Sequence, residues 1–343
     1  MHAHTPIGRV GVHVARTVSA VVLSVLVGLV AATAPAGADS VPVDPALPAT
    51  VTADALPTVQ IDGVVWDQVV VGDTVYVTGD FSTARPAGSA PGQDETPREN
   101  ILAFDITTGE LVTSWAPSLN NQGLAIEASD DGTTIFVGGD FSQVSGEFRN
   151  RLAAIDAVTG AVVDGFNPVV NTRVASMDAV GDTLYFGGYF TTVDGLSRSR
   201  LAAVDAATGD LLPWAPTVDR EVVSMIVHEP SNRVIVGGSF YDLNGASNPG
   251  MASIDGDTGA TRPWAINQLI QQSGDATEIA DLTVSGDLVY GGAWDFGGGD
   301  FEGQFAADAL TGDLVWVNGC RGDTYGVHVM NEALYSVGHA HDC

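Results

Sequence analysis

The feature that most constrains this chain is a repeat of about fifty residues. Its first line is Asp-x-x-Thr-Gly followed within ten residues by an aromatic residue, and successive aspartates are 49 to 53 residues apart. A fixed period of this length predicts a protein built from copies of one supersecondary unit. The aspartates are Asp105, Asp156, Asp205, Asp255 and Asp308, and the aromatic residues are Trp115, Phe166, Trp214, Trp264 and Trp316.

A second line precedes the first in each copy; it contains small residues and ends in an aromatic residue, as in TIFVGGDF before Ser142 and TLYFGGYF before Thr191. Each unit reads as four short strands; in the third unit these are VASMDAV, TLYFGG, RLAAVD and DLLPW. Helix signals are nearly absent, because apolar residues alternate or come in short runs that Gly and Pro interrupt. Four strands in a fifty-residue repeat predict an all-β fold and, more narrowly, the four-stranded blades of a β-propeller.

The repeat also predicts the domain boundaries. About five complete blades, and part of a sixth, are expected, with six or seven in the intact protein; this leads us to expect that the native gene continues past Cys343. The Pro-rich segment 39–57 is expected to be extended; it lacks the Asp-x-x-Thr-Gly line, although it could add one outer strand. The β-propeller is assigned to residues 58–343, with repeats at about 58–117, 118–168, 169–216, 217–266 and 267–318 and a partial one at 319–343.

The recurring residues have predicted structural roles. The repeat aspartates can accept hydrogen bonds from the amides of their own Thr-Gly turns. The aromatic residues are spaced to pack between neighbouring blades. Glycine pairs are expected where backbones crowd or where φ is positive; they are Gly138-Gly139, Gly187-Gly188, Gly237-Gly238 and Gly291-Gly292.

On these motifs the chain resembles known propeller families. Gly-Gly, an aromatic residue, Asp-x-x-Thr-Gly and Trp at this period resemble the kelch repeat, and Ala-x-Asp-x-x-Thr-Gly-x-x-x-x-Trp is similar to the repeat of quinoprotein dehydrogenases and their non-catalytic relatives. The chain is also similar to exported actinobacterial propeller proteins that often carry PKD or lectin-like modules. The quinoprotein resemblance implies a bound quinone, adjacent cysteines and a cofactor-facing Trp, and neither residue feature is recognisable in this sequence.

The N-terminus predicts export. Arg9 and Arg16 precede the apolar run 18–32, which is followed by Ala36-Gly37-Ala38; this is the pattern of a secretory signal peptide, residues 1–38. No other apolar run approaches membrane length, so no membrane span is expected after cleavage. The mature protein is therefore expected to be secreted, extracellular or associated with the cell surface.

The net charge limits the class of binding partner, and the two cysteines predict a disulfide. The chain has 13 basic and 42 acidic side chains and a formal charge of -29, which argues against nucleic acid as a partner. Cys320 and Cys343 are the two cysteines, and export predicts a disulfide between them. The sequence carries no signal for an oligomeric state.

Arginines cluster in the loops expected between second and third strands, or directly after them: Arg98, Arg149, Arg151, Arg198 and Arg200. Such a rim could bind a carboxylated or sulfated ligand. The alternative is that these arginines pair with carboxylates of the repeat.

Two metal sites are conceivable. His339 and His341 alternate with Cys343, so their side chains would share one side of a strand and could bind zinc or copper. Asp255 and Asp257 form a short acidic loop that could bind calcium, although it lacks the spacing of an EF-hand. No cofactor is predicted beyond these.

Catalytic motifs such as Gly-x-Ser-x-Gly, His-Glu-x-x-His and a P-loop are missing. We therefore expect a non-catalytic extracellular recognition or scaffold module for a glycan or a protein. The alternatives are a cell-surface spacer and an exported enzyme, either a quinone-dependent dehydrogenase or a carbohydrate-active hydrolase or lyase with carboxylates in a central tunnel. Inward-facing charged residues at the tunnel mouth would favour an enzyme, and aromatic residues on the loop face would favour binding.

Overall fold

The computed structural model describes residues 57–272, 274–297, 301–319 and 322–339, all within one compact unit, Val43–Cys343. The predicted all-β class is confirmed, since 28 short strands pair in antiparallel sheets. The described ranges contain no α-helix, and their two 3-10 helices are Glu229–Ser231 and Ala265–Gln268. Within the same ranges, no helix has the length and apolar character needed to cross a membrane.

The first two repeats each contain a three-stranded main sheet. The first repeat adds a small three-stranded sheet, two strands of which come from its long loop, and the second adds a hairpin. The strands are β1 (Gln60–Ile61), β2 (Val64–Val71), β3 (Thr74–Asp80), β4 (Thr83–Arg85), β5 (Thr96–Pro97), β6 (Ile101–Asp105), β7 (Gly123–Ala128), β8 (Thr134–Gly139), β9 (Gln143–Val144), β10 (Glu147–Phe148) and β11 (Leu152–Asp156).

The third and fourth repeats follow the plan of the second, with a hairpin between the second and third strands of the main sheet. The strands of the third repeat are β12 (Val174–Val180), β13 (Thr183–Gly188), β14 (Thr192–Val193), β15 (Leu196–Ser197) and β16 (Leu201–Asp205). Those of the fourth are β17 (Val222–His228), β18 (Arg233–Gly238), β19 (Asp242–Leu243), β20 (Ala246–Ser247), β21 (Met251–Asp255) and β22 (Thr261–Arg262).

The last sheets differ in strand number. The fifth repeat has four strands and the sixth has two. Their strands are β23 (Thr277–Ser285), β24 (Leu288–Asp295), β25 (Gly303–Asp308), β26 (Leu314–Asn318), β27 (Thr324–Met330) and β28 (Ala333–Gly338).

Four-stranded sheets were expected throughout, but only the fourth and fifth repeats have them among the described residues. In the first three repeats the outer segment makes one isolated bridge each, at Leu111, Val162 and Leu211. The carbonyls that follow bond to arginine side chains instead of a strand partner, as at Thr113 and Leu212. The aromatic residue of the outer segment is buried in each of these three repeats.

The first strands of the six main sheets lie beside one another in chain order, β2 next to β7, then β12, β17, β23 and β27. Together they line a central cavity of about 900 Å³. Each first strand has a bulge at the same register position, where one residue is skipped in the pairing. The skipped residues all line the cavity, and they are Trp66, Leu124, Ala175, Val223, Ala280 and Tyr325.

Glycine pairs lie where neighbouring strands approach closely. A Cβ on Gly187 would lie 2.7 Å from Val222 of the next repeat, and one on Gly188 would meet the carbonyl of Arg173. None of the eight paired glycines has a positive φ. Close approach, rather than a left-handed backbone, therefore explains these positions.

The repeat aspartates cap their own turns. Asp156 Oδ1 accepts hydrogen bonds from the amides of Val158 (3.0 Å) and Thr159 (2.7 Å) and from the Thr159 hydroxyl. The corresponding Thr bonds recur at the other four aspartates. Because residues two and three positions later supply the donors, each Asp-x-x-Thr-Gly line fixes its turn locally.

Candidate binding site at the mouth of the cavity

One mouth of the cavity lies on the face of the long loops. Arg173 and Glu221 directly precede β12 and β17, and their side chains approach to 3.7 Å, so the N-terminal ends of these two strands lie together. β13 and β18 run antiparallel to them and end at this face. The loops that follow β13 and β18 therefore surround the mouth.

A polar network at the mouth joins four repeats. Arg173 pairs with Asp140 (Nη2 to Oδ2, 3.0 Å) as well as with Glu221. Gln122 donates to Asp140 (2.9 Å) and accepts from the indole of Trp66 (3.1 Å). Burial opposes ionisation of Asp140, but the hydrogen bonds from Arg173 and Gln122 outweigh it and hold its pKa below the usual value.

Glu278 lies at the same end of β23. Its Oε2 accepts a hydrogen bond from the indole nitrogen of Trp294 at 3.2 Å. Burial, and next the negative charge of Glu221, raise the pKa of Glu278 to about 7. Burial also raises the pKa of Glu221, although the charge of Arg173 opposes this. The mouth therefore holds a carboxyl group that exchanges its proton near neutral pH beside a second carboxylate and a guanidinium.

Three aspartates on first strands link neighbouring repeats. Each accepts a hydrogen bond from a backbone amide of the next first strand: Asp67 from Ile126 (2.9 Å), Asp178 from Val227 (2.6 Å) and Asp281 from Val327 (2.8 Å). Burial raises the pKa of Asp67 and Asp178 to about 7 and that of Asp281 to about 6. These three carboxyl groups line the cavity, and their hydrogen bonds hold neighbouring repeats together.

Glu127 also lines the cavity. Burial raises the pKa of its carboxyl to about 7, and the charges of Asp178 and Asp130 act in the same direction. Six carboxyl groups thus face a cavity in which Arg173 is the one arginine or lysine side chain among the lining residues described.

Aromatic side chains complete the mouth. Trp66 and Tyr325 are the skipped residues of β2 and β27, and both are about half exposed. Trp294 lines the cavity beside Glu278, and its ring centroid lies 4.8 Å from that of the exposed Phe296. The sequence interpretation missed these residues, because the bulges that place Trp66 and Tyr325 at the cavity are features of the strand pairing and have no motif in the sequence.

The arginines predicted to form a ligand-binding rim lie elsewhere, and none lines the cavity. Arg98 and Arg149 are buried. Arg98 donates to the carbonyls of Pro97 (2.8 Å) and Thr113 (3.2 Å), and Arg198 makes the same pair of bonds to Ser197 and Leu212. This geometry favours the alternative of a role within the repeat, with backbone carbonyls as the main acceptors in place of the expected carboxylates.

The remaining rim arginines are engaged nearby. Arg149 donates to Phe148 O (2.9 Å) and lies 3.3 Å from Glu147. Arg151 donates to the carbonyl of Asp140. Arg200 donates to the Ser199 hydroxyl, and its guanidinium lies 5.6 Å from the ring centroid of Tyr189.

The predicted calcium ligands do not converge. Asp255 caps its turn through Thr258 and pairs with Arg262, and these hydrogen bonds lower its pKa to about 2. Asp257 is exposed on the same turn. Within the described ranges, no three His, Cys, Asp or Glu side chains are placed to hold a metal ion.

The zinc and disulfide predictions fall largely outside the described residues. His339 is described, and its Nδ1 lies 3.3 Å from Asp323 Oδ2. His341, Cys320 and Cys343 lie outside the described ranges. The zinc or copper site and the disulfide therefore stay predictions.

The five repeat aromatic residues are not equivalent. Trp115, Phe166, Trp214 and Trp264 are buried. Trp316 is half-buried, with its ring centroid 6.2 Å from that of Tyr290. The described residues that follow it contain no Asp-x-x-Thr-Gly turn for its indole to contact.

No protein-family model and no curated protein matches the chain. Among solved structures, the chain is similar to the computationally designed Ika8 protein, with 17% identity, coverage of 80% of each chain and a TM-score of 0.47. It is also similar to the computationally designed Ika4 protein, with 15% identity, coverage of 51% of this chain and 86% of that chain, and a TM-score of 0.34.

Proposed function

We propose that the chain is a secreted β-propeller that serves as a non-catalytic extracellular recognition module and binds a glycan at the mouth of its central cavity. The repeat and the order of the first strands around one cavity support the propeller. The signal-peptide pattern in the sequence of residues 1–38 supports export.

The observation that carries the proposal is the combination of aromatic and charged side chains at the mouth. Trp66, Trp294 and Tyr325 line the same cavity as Arg173 and Glu278. Aromatic faces can pack against the apolar faces of sugar rings, while carboxylates and a guanidinium bond to hydroxyl groups. A concave site with aromatic walls and a few placed polar groups is typical of small-ligand binding.

A carbohydrate-active enzyme is the second candidate, and Glu278 favours it. A carboxyl whose pKa is raised to about 7 can donate a proton to a leaving group, and Glu221 supplies a second carboxylate beside it. Arg173 holds Glu221 at the mouth. Glu278 and Glu221 have the chemistry of an acid and base pair. We propose binding first, because the aromatic residues at the mouth serve to bind a ligand whether or not a reaction follows.

The test is binding of the mature chain to neutral and acidic polysaccharides by titration calorimetry. Trp294→Ala and Tyr325→Ala should each weaken binding about tenfold, the upper range for one aromatic contact. Phe148→Ala is the matched control, because Phe148 is an exposed aromatic residue that does not line the cavity. Equal losses in all three variants would contradict the proposal.

The enzyme candidate is tested in the same samples by release of reducing ends. If the protein is only a binding module, no product forms. Product that forms with the wild type and is lost in Glu278→Gln, with binding retained, would establish the second candidate instead.

A further inference from the structure

Each of the five junctions between consecutive main sheets pairs one glycine with one larger residue. The larger side chain occupies the space where the Cβ of the glycine would be. The five pairs are Thr78 with Gly123, Gly138 with Val174, Gly187 with Val222, Gly237 with Ile279, and Gly292 with Thr324. At the first junction the glycine lies on the later strand, and at the other four it lies on the earlier strand. The junction therefore requires complementary sizes, whichever strand carries the glycine.

The junction between the last sheet and the first lacks such a pair. Val65 has the register position of Val174, and Val337 has that of Gly138. Two valines thus stand where the other junctions have a glycine and a larger residue. Val65 is 43% exposed and Val337 is 67% exposed, whereas Val174 is fully buried. The last sheet and the first therefore do not pack against each other here, and the junction is open.

The last repeat also lacks a polar link that joins first strands elsewhere. The side chains of Asp67 and Asp281 each accept a hydrogen bond from a backbone amide of the next first strand. In β27 the register position of these two aspartates is occupied by Gly326. Because glycine has no side chain, β27 cannot make this bond to β2. Gly326 and Val337 together leave the junction open.

The open junction extends along the face of β2 that other repeats cover. Gln68 and Val70 are exposed on this face, whereas their equivalents in the third repeat, Met177 and Ala179, are buried. At the rise of a strand, the stretch from Val65 to Val70 spans about 17 Å. Val65 also lines the cavity. The cavity therefore opens sideways through a slot between β2 and the last sheet.

Two aromatic side chains flank this slot. Among the six skipped residues of the first strands, Trp66 and Tyr325 are the aromatic ones, and they belong to the strands on either side of the slot. The indole of Trp66 donates to Gln122 (3.1 Å), and the hydroxyl of Tyr325 donates to Asp323 (2.9 Å). Both side chains are still about half exposed. Their polar atoms are thus bonded to the protein while their rings stay accessible to a ligand.

We propose that the slot binds an unbranched polysaccharide whose pyranose rings carry equatorial substituents, and that the chain passes between Trp66 and Tyr325. This inference rests on the glycan binding proposed above and names the class of glycan. Pyranose rings of this kind expose apolar C–H groups on both faces and hydroxyl groups at the rim, so they can contact an apolar wall on each side. Because the slot is open along its length, it admits an internal stretch of the polymer.

The test compares two glucose hexamers, cellohexaose and maltohexaose, which differ only in the configuration of the glycosidic linkage. Equatorial linkages make cellohexaose a straight ribbon, and axial linkages bend maltohexaose. In titration calorimetry of the mature chain, cellohexaose should bind at least about tenfold more tightly. Trp66→Ala and Tyr325→Ala should each weaken cellohexaose binding about tenfold. Phe148→Ala is the control outside the cavity and should leave the affinity unchanged.

A second pair of variants narrows the slot and keeps both aromatic residues. Val337→Trp adds an indole at an exposed position that lines the cavity, and it should weaken cellohexaose binding about tenfold by filling the slot. Val158→Trp is the matched control, because Val158 is exposed and does not line the cavity. An unchanged or raised affinity in Val337→Trp would overturn the proposal.

Two further results would also overturn it. Equal affinities for the two hexamers would show that the shape of the chain is not selected. Binding of a polysaccharide that depends on Trp294 and Arg173 but not on Trp66 would leave the mouth as a glycan site and remove the slot from it. If no polysaccharide binds, glycan binding at the mouth and the slot both fail.

Discussion

The indole nitrogen of Trp115 donates a hydrogen bond to the main-chain carbonyl of Asp156, 41 residues later and in the next repeat (3.1 Å). Trp214 makes the same bond to Asp255 (3.0 Å) and Trp264 to Asp308 (3.3 Å). The side chain of the same aspartate caps its own turn. Each of these aspartates therefore links its turn, through its carbonyl, to the aromatic residue of the preceding repeat. The two most recognisable residues of the repeat therefore act as one contact.

Trp214→Phe tests this contact by removing the donor while keeping an aromatic ring. The lost hydrogen bond should cost about 1 kcal/mol and lower Tm by about 2–4 °C. Trp316→Phe is the control, because Trp316 is half-buried and no Asp-x-x-Thr-Gly turn follows it in the sequence. Equal changes in Tm would show that ring packing alone matters.

Gly123 and Thr78 provide a test of junction complementarity. Gly123→Val should place a side chain on the Thr78 hydroxyl and destabilise the protein by about 1–3 kcal/mol. Adding Thr78→Gly should recover much of this loss, although it removes the bond from Thr78 to the carbonyl of Asn100. A double-mutant cycle from chemical denaturation measures the coupling, and strictly additive effects would contradict the complementarity.

The cavity carboxyl groups predict a stability that decreases with rising pH. Their pKa values in the folded protein are raised, to about 7 for Glu278, so the folded state binds more protons than the unfolded state. This stabilisation is complete below the unfolded pKa and is lost as pH rises through about 7. Glu278→Gln should flatten the fall in Tm between pH 5 and 8, while Glu110→Gln, at an exposed position, should leave the slope unchanged.

Below pH 4 the turn aspartates should determine how stability depends on pH, and here stability should decrease as pH falls. Hydrogen bonds from Thr258 and Arg262 lower the pKa of Asp255 to about 2, so its stabilisation is present above the unfolded pKa and is lost as pH falls toward 2. Asp255→Asn should reduce the loss of Tm between pH 4 and 2. A slope identical to that of the wild type would contradict this role.

Substitution of a loop arginine should change stability, and substitution of the arginine at the mouth should change ligand affinity. Arg98 is buried and bonds to the carbonyls of Pro97 and Thr113, so Arg98→Ala should lower the free energy of unfolding by more than 1 kcal/mol and leave polysaccharide affinity unchanged. Arg173 is partly exposed at the mouth, and Arg173→Ala should weaken binding with a smaller change in stability. The reverse pattern would favour the arginine rim.

The sequence predicts the turns and the repeat well because their determinants are local. Asp156 and Thr159 are three residues apart and form the turn together, so the motif and the structure coincide. The mouth depends instead on residues more than a hundred positions apart, such as Trp66 and Arg173, which only the sheet order brings to one cavity. Arg98 was predicted to bind a ligand because it lies in a loop of the sequence. In the structure it is buried against the outer segment of its own repeat.

The most direct test of the central claim is hydrogen–deuterium exchange of the mature chain with and without a bound polysaccharide. The account predicts slower exchange in the strand ends at the mouth, residues 64–68, 173–178 and 278–283. Slower exchange confined to the arginine loops, residues 142–151 and 191–200, with no change at the mouth, would contradict it.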